Sequence, residues 1–252
     1  KGKHAVLYGE RGVGETSLVK VFRLLFPSIV SKVRVIREQL NADDTFSDVC
    51  RKIFRDIEVL VREEGEEKKI SAADFYDREI TADDVRRELA ISFSSNEIPA
   101  IVLDEFDRAG PEVRRLIANV IKDLSDDAVN VTVILVGVSD DIGGLLSEHQ
   151  SLRRCLEQIP MPRMSTDEMK EIITKRIPRL GMKIDNDALW KIITLSRGLP
   201  SYVHLLGLYS AQAAIENRRL LITESNVDFA IKRALEKSQE SVKTDYASAV
   251  HT

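Results

Sequence analysis

The chain has 252 residues, 43% of them hydrophobic and 31% charged, with a formal net charge of −4 at pH 7. That length and apolar fraction support one generous domain or two modest ones, and interspersed charges exclude a bulk field that would draw the chain to nucleic acid or an anionic membrane, leaving only a local basic face. Cys50 and Cys155 lie far apart without paired spacing, which indicates neither a disulfide framework nor a zinc site and fits a reducing cytoplasm, and no apolar run approaches the roughly 18 residues of a membrane helix.

In chain order, the apolar run Ala5 to Tyr8 is followed at once by glycines and then by the helical spacing Leu18, Val19, Phe22, Leu25, which reads as strand, loop, helix. The start at Lys1, just before that strand and without a signal-peptide pattern, points to a natural segment preceding it. Lys32 to Leu40 alternates loosely enough for a second strand. Phe46, Val49, Ile53, Phe54, Ile57 and Leu60 share one helical face, and the charged stretch Arg62 to Lys69 reads as a solvated helix end and loop. Thr81 caps a helix through Val85, Leu89 and Ala90. A third strand, Ile98 to Leu103, ends in acids, and a helix from Pro111 carries Val113, Leu116, Ile117, Val120, Ile121 and Leu124. Val131 to Val138 is a buried central strand, then come a short helix and a fifth strand at Leu156 to Met161. This alternation predicts an α/β fold, a five-stranded parallel sheet flanked by helices, over residues 1–163.

From 164 to 252 the pattern predicts helices only, a small all-helical lid domain. Ser165-Thr166-Asp167-Glu168 is a capping box, Asp185 opens a second helix, and Ser201 to Ile215 and Glu224 to about Ser241 make two more. Trp190 reads as lid core and His204 as a packing residue.

Gly9-Glu10-Arg11-Gly12-Val13-Gly14-Glu15-Thr16 fits the phosphate-loop pattern GxxxxGK[ST] except at the lysine, with a strand before it and the helix of Ser17 after it. Glycines let backbone N–H groups turn inward around phosphates, and the helix presents its positive end. Thr16 supplies the hydroxyl for Mg²⁺. An ordinary glycine-rich turn is the bland alternative. Ile101-Val102-Leu103-Asp104-Glu105 sits where a Walker B segment belongs, with Asp104 holding Mg²⁺ through water and Glu105 orienting or deprotonating an attacking water. Alone, the two acids are equally a capping pair.

With both motifs in place the chain resembles the AAA+ P-loop ATPases, and within them the origin-recognition and helicase-loader branch and the related STAND ATPases, from about His4 to about Ala234. The resemblance implies ATP or ADP with Mg²⁺ between the loop and the lid. It makes Ser139 a sensor of the γ-phosphate, or simply a capping serine. It makes Arg154, in Ser151-Leu152-Arg153-Arg154-Cys155, the arginine finger offered to a neighbouring subunit, or a member of an internal salt bridge. Gly198-Leu199-Pro200 resembles the GxP element by which such lids touch the nucleotide, or is a helix breaker; Ser201 stands where many lids supply a sensor 2 arginine, with Arg197 as the available substitute.

Glu15 reverses the sign of the loop lysine. A unit charge pair about 4 Å apart at an effective dielectric near 20 is worth roughly 4 kcal/mol, so exchanging attraction for repulsion weakens binding and impairs hydrolysis unless Glu15 turns to solvent or is protonated. Two histories fit, a lineage that abandoned hydrolysis and a recent or deliberate loss; the otherwise intact set favours the second. The expected function is a nucleotide-dependent switch that assembles with copies of itself, other AAA+ subunits or an effector protein. A non-catalytic scaffold and a DNA-associated initiator, loader or transposition regulator are the alternatives. No basic stripe with aromatic interleaving supports the last.

Overall fold

The computed structural model describes residues 3–21, 33–63, 66–93, 97–138 and 150–250. The chain divides into two compact units, Lys1–Glu10 with Glu15–Met161 and Arg11–Gly14 with Pro162–Thr252.

The first unit contains strands β1 (His4–Gly9), β2 (Val33–Gln39), β3 (Glu58–Glu63), β4 (Glu66–Ser71), β5 (Ile98–Asp104), β6 (Thr132–Val138) and β7 (Leu156–Met161), with helices α1 (Glu15–Val21), α2 (Phe46–Arg55), α3 (Ala82–Ile91) and α4 (Pro111–Asp126). Among the described residues five strands form one parallel sheet in the order β2-β5-β6-β1-β7. Successive side chains in a strand point to opposite faces, so a sheet covered on both sides needs near-continuous apolar runs. β5 and β6 have them. Ile36, Ile101, Leu103, Val133 and Leu135 pack with the buried faces of α2, α3 and α4, where Ile53, Val85, Leu89, Ile121 and Leu124 sit. Leu7, Val102 and Val136 face the other way, against Val19 of α1. Pro99 is tolerated inside β5 because pairing with β6 begins only at Ala100, while Pro160 lies in β7, an outer strand of the sheet.

Local signals set the helix starts. Thr45 with Asp48 and Thr81 with Asp84 form complete capping boxes, each hydroxyl accepting an N–H that the first turn would otherwise leave unpaired. Pro111 occupies the first turn of α4, where a missing N–H costs nothing.

The expectation for Leu60 and the charged stretch after it is corrected. α2 ends at Arg55, Ile57 is buried beyond it, and β3 and β4 form an antiparallel hairpin in which Leu60 is 64% exposed. Opposed charges on neighbouring strands stabilise the hairpin, with Lys69 Nζ 2.8 Å from Glu58 Oε2 and Arg62 Nη2 3.0 Å from Glu67 Oε1. The described part of α1 stops at Val21, and the expected helix between β6 and β7 lies outside the described residues.

The second unit has helices α5 (Thr166–Arg176), α6 (Asn186–Ser196), α7 (Pro200–Glu216) and α8 (Glu224–Val250). Its core gathers Met169, Ile173, Leu189, Ile192, Val203, Leu206 and Val227. Helices are not its whole content: β8 (Lys183–Ile184) and β9 (Leu221–Ile222) pair in a short parallel ladder. Trp190 is also not core, being 54% exposed, and His204 lies exposed on α7. Among the described residues no helix is long and apolar enough to cross a membrane.

Candidate functional site

β1 delivers the chain into the loop at Gly9, and α1 leaves it at Glu15. Two loop glycines hold backbone angles that side chains rarely adopt, with φ of 90° at Gly12 and 110° at Gly14. Val13 between them is buried. Glu15 and Thr16 are the first two residues of α1, and Ser17 after them is exposed.

Asp104 ends β5 and is 2% exposed. The Thr16 hydroxyl donates to Asp104 Oδ1 at 3.3 Å, joining residues 88 positions apart in the chain. The same oxygen accepts the Glu105 N–H at 3.0 Å. Asp104 Oδ2 is ion-paired with Nη2 of Arg37 on β2. The register explains this reach: Val102 lies opposite Arg37 and Asp104 opposite Gln39, so Arg37 and Asp104 are diagonal neighbours on one face. A buried carboxylate is costly unless its charge is compensated and its lone pairs are used, and these three donors do both.

Glu105 follows in the left-handed region, with φ 54° and ψ 42°, a conformation that costs a non-glycine residue about 1 kcal/mol. Its carboxylate accepts from Arg108 Nη1 at 2.7 Å. In the same turn Asp107 Oδ1 accepts the Val138 N–H at 3.3 Å, tying the turn after β5 to the end of β6. Gly137 makes that possible, since a Cβ there would stand 2.9 Å from Asp107 Oδ1.

The structure therefore brings Thr16, Asp104 and Glu105 together with the start of α1. Ser139 lies outside the described residues, one position past the end of β6. Arg154 closes a short 3₁₀ turn before β7; its side chain is 65% exposed, with Nη2 3.4 Å from Asp126 Oδ1. In the second unit Arg197 (φ 47°) and Gly198 (φ 85°) end α6, and Pro200 opens α7. Gly198 has a packing reason of its own: its carbonyl accepts the Met164 N–H at 2.8 Å, and a Cβ would stand 2.7 Å from that of Arg163. Arg37 and Asp107 were not anticipated. Arg37 had one signal, a cation breaking the apolar side of β2, but its partner follows only from the β2–β5 register.

The donor chemistry suits magnesium, because a hydroxyl and a carboxylate are hard oxygen ligands and Thr16 and Asp104 are in contact, but Asp104 Oδ2 is already paired with Arg37, which an incoming ion would have to share or displace. The glycine conformations suit phosphate.

A glycine-dependent loop between a central parallel strand and a helix, with a threonine on a buried aspartate two strands away, defines the P-loop class of α/β folds. The profile of the AAA domain family matches residues 1–146, more than half of the chain, and the chain belongs to that family. Among solved structures it is similar to Aeropyrum pernix ORC1 in complex with DNA, at 19% identity and a TM-score of 0.64, covering 93% of this chain and 60% of that one. Aeropyrum pernix ORC2, in ADPNP and ADP complexes, matches at 17% identity and a TM-score of 0.64, covering 92% of this chain and 62% of that one. The Thermotoga maritima RuvB Holliday junction branch migration motor matches at 18% identity and a TM-score of 0.54, covering 91% and 61%. In each case the chain spans less than two thirds of the matched structure, and at such identities the likeness is one of fold. No curated protein matches the chain significantly.

Proposed function

We propose that this chain is an adenine-nucleotide-binding switch module whose hydrolytic step is impaired by Glu15. The observation that supports this reading is the contact between Thr16 and buried Asp104, the two oxygen donors that would hold magnesium in a P-loop site. Bound Mg²⁺ would supply positive charge to the nucleotide's phosphates. Thr16 and Asp104 would hold the ion, and the loop from Gly9 to Gly14 would wrap phosphate oxygens with backbone N–H groups. Glu105, its carboxylate held by Arg108, would orient a water. Arg154, exposed on its turn, would serve a neighbouring subunit's site, and Gly198 and Pro200 would be the lid's contribution.

The test is a calorimetric titration of Mg-ATP into the protein and its Glu15→Gln and Glu15→Lys variants, each checked for native folding. Affinity should rise in the order Glu, Gln, Lys, because glutamine removes the repulsion and lysine adds an attraction, with several kcal/mol between the ends. Hydrolysis should return only with lysine. Equal affinities across the series would show that position 15 does not face the phosphates.

A scaffold without catalysis is favoured by one observation: both acids at the end of β5 are already engaged by arginines, Asp104 by Arg37 and Glu105 by Arg108. Absence of turnover in Glu15→Lys despite tight binding would select it. A DNA-associated role rests on fold likeness alone and would need salt-dependent DNA binding to support it.

A further inference from the structure

We infer that Arg37 is a built-in counter-charge for Asp104, and that this site consequently takes a nucleoside phosphate without requiring a divalent cation. The inference rests on the nucleotide reading above and concerns a residue outside both motifs. Asp104 has no idle oxygen: Oδ1 accepts the Thr16 hydroxyl and the Glu105 N–H, and Oδ2 holds Arg37. The pair is also sheltered, with Asp104 2% and Arg37 30% exposed, so its attraction is screened far less than that of a surface pair.

The Nε of Arg37 is buried without a hydrogen-bond partner among the described residues, although buried donors are nearly always satisfied. What its position does achieve is delivery of one positive charge to the carboxylate that would otherwise face the phosphates. Magnesium sheds water reluctantly and is held through one or two carboxylates. An aspartate already neutralised by a guanidinium is a weaker ligand for it, and a weaker source of repulsion toward a metal-free nucleotide. Glu15 puts a further carboxylate in the loop, and pairing Asp104 with Arg37 leaves the site less negative than Asp104 alone would make it.

The experiment measures ADP affinity by calorimetry, with Mg²⁺ and with EDTA, in the Glu15→Lys background, where binding is strong enough to compare. For Glu15→Lys alone the two affinities should agree within about threefold. Adding Arg37→Gln should lower the EDTA affinity by about tenfold, the scale of one unit charge in partly solvated surroundings, and Mg²⁺ should restore it. Adding Arg37→Lys should preserve metal-independent binding. The same strong Mg²⁺ dependence with and without Arg37→Gln overturns the inference and leaves the nucleotide reading standing. Failure of folded Glu15→Lys to bind ADP under either condition overturns both. Should Arg37→Gln not fold, the parent alone decides: strengthening of ADP binding by Mg²⁺ of more than about tenfold, read as a shift in thermal unfolding, sinks the inference.

Discussion

His4, the first residue of β1, has its imidazole buried to 1% exposure, with Nδ1 accepting the Val133 N–H at 3.0 Å. That bond puts the proton of the neutral ring on Nε2, and a second proton would set an N–H against an N–H. Burial lowers the pKa from 6.5 to about 4. The unfolded chain therefore binds a proton below about pH 6.5 that the folded chain refuses until about pH 4, so this residue's contribution is complete above the first value and declines toward the second. The difference is worth up to about 3 kcal/mol, about 2 of which is lost by pH 5. Urea unfolding at pH 7 and pH 5 should show this loss, and His4→Gln, which retains an acceptor for Val133, should show much less of it. An equal acid response in both proteins would place the titrating group elsewhere.

Thr81 at the head of α3 is the element whose stability can be argued most fully. Its hydroxyl accepts the Asp84 N–H, and Asp84 answers by accepting the Thr81 N–H at 2.9 Å and the two guanidinium nitrogens of Arg78 at 2.8 Å. Arg78 first, then Thr81, holds the Asp84 carboxyl well below its ordinary range. Thr81→Ala should cost about 1 kcal/mol, read as a lower urea midpoint with an unchanged slope. This helix was legible in the sequence because its cap, its first-turn acids and its apolar face agree. So were β5 and α4, for the same reason of local consistency. The β3–β4 hairpin was not, since its charges hide the period of two and its stability comes from cross-strand pairs that appear only once the register is known. The β8–β9 ladder, two residues a side, is too short to leave a periodic trace. In the candidate site the loop and the two acids could be read from spacing, whereas Arg37 and Asp107 could not, because what they touch is set by strand order and a left-handed turn.

Over the whole molecule, each unit has its own core: Ile121, with no exposed surface, belongs to the cluster under the sheet, and Ile192, equally buried, to the one among α5 to α8. Truncating either to alanine should cost about 2–5 kcal/mol. Since the clusters share no residue, Ile121→Ala should lower hydrogen-exchange protection in the sheet unit and Ile192→Ala in the unit of α5 to α8; loss of protection in both units from one substitution would reveal coupling between the cores. The strands that are outermost among the described residues bear on a different matter, how a crowded solution of this protein behaves. An outer strand is a template on which another copy can lay a strand of its own, and continued addition builds a fibril. Here β7 interrupts that template with Pro160, which has no N–H to offer, and β2 carries Arg34, Arg37 and Glu38 along its length. A second copy arriving at either margin would forgo a bond or desolvate charges, and so the same arginine that steadies Asp104 stands on a strand that discourages runaway stacking.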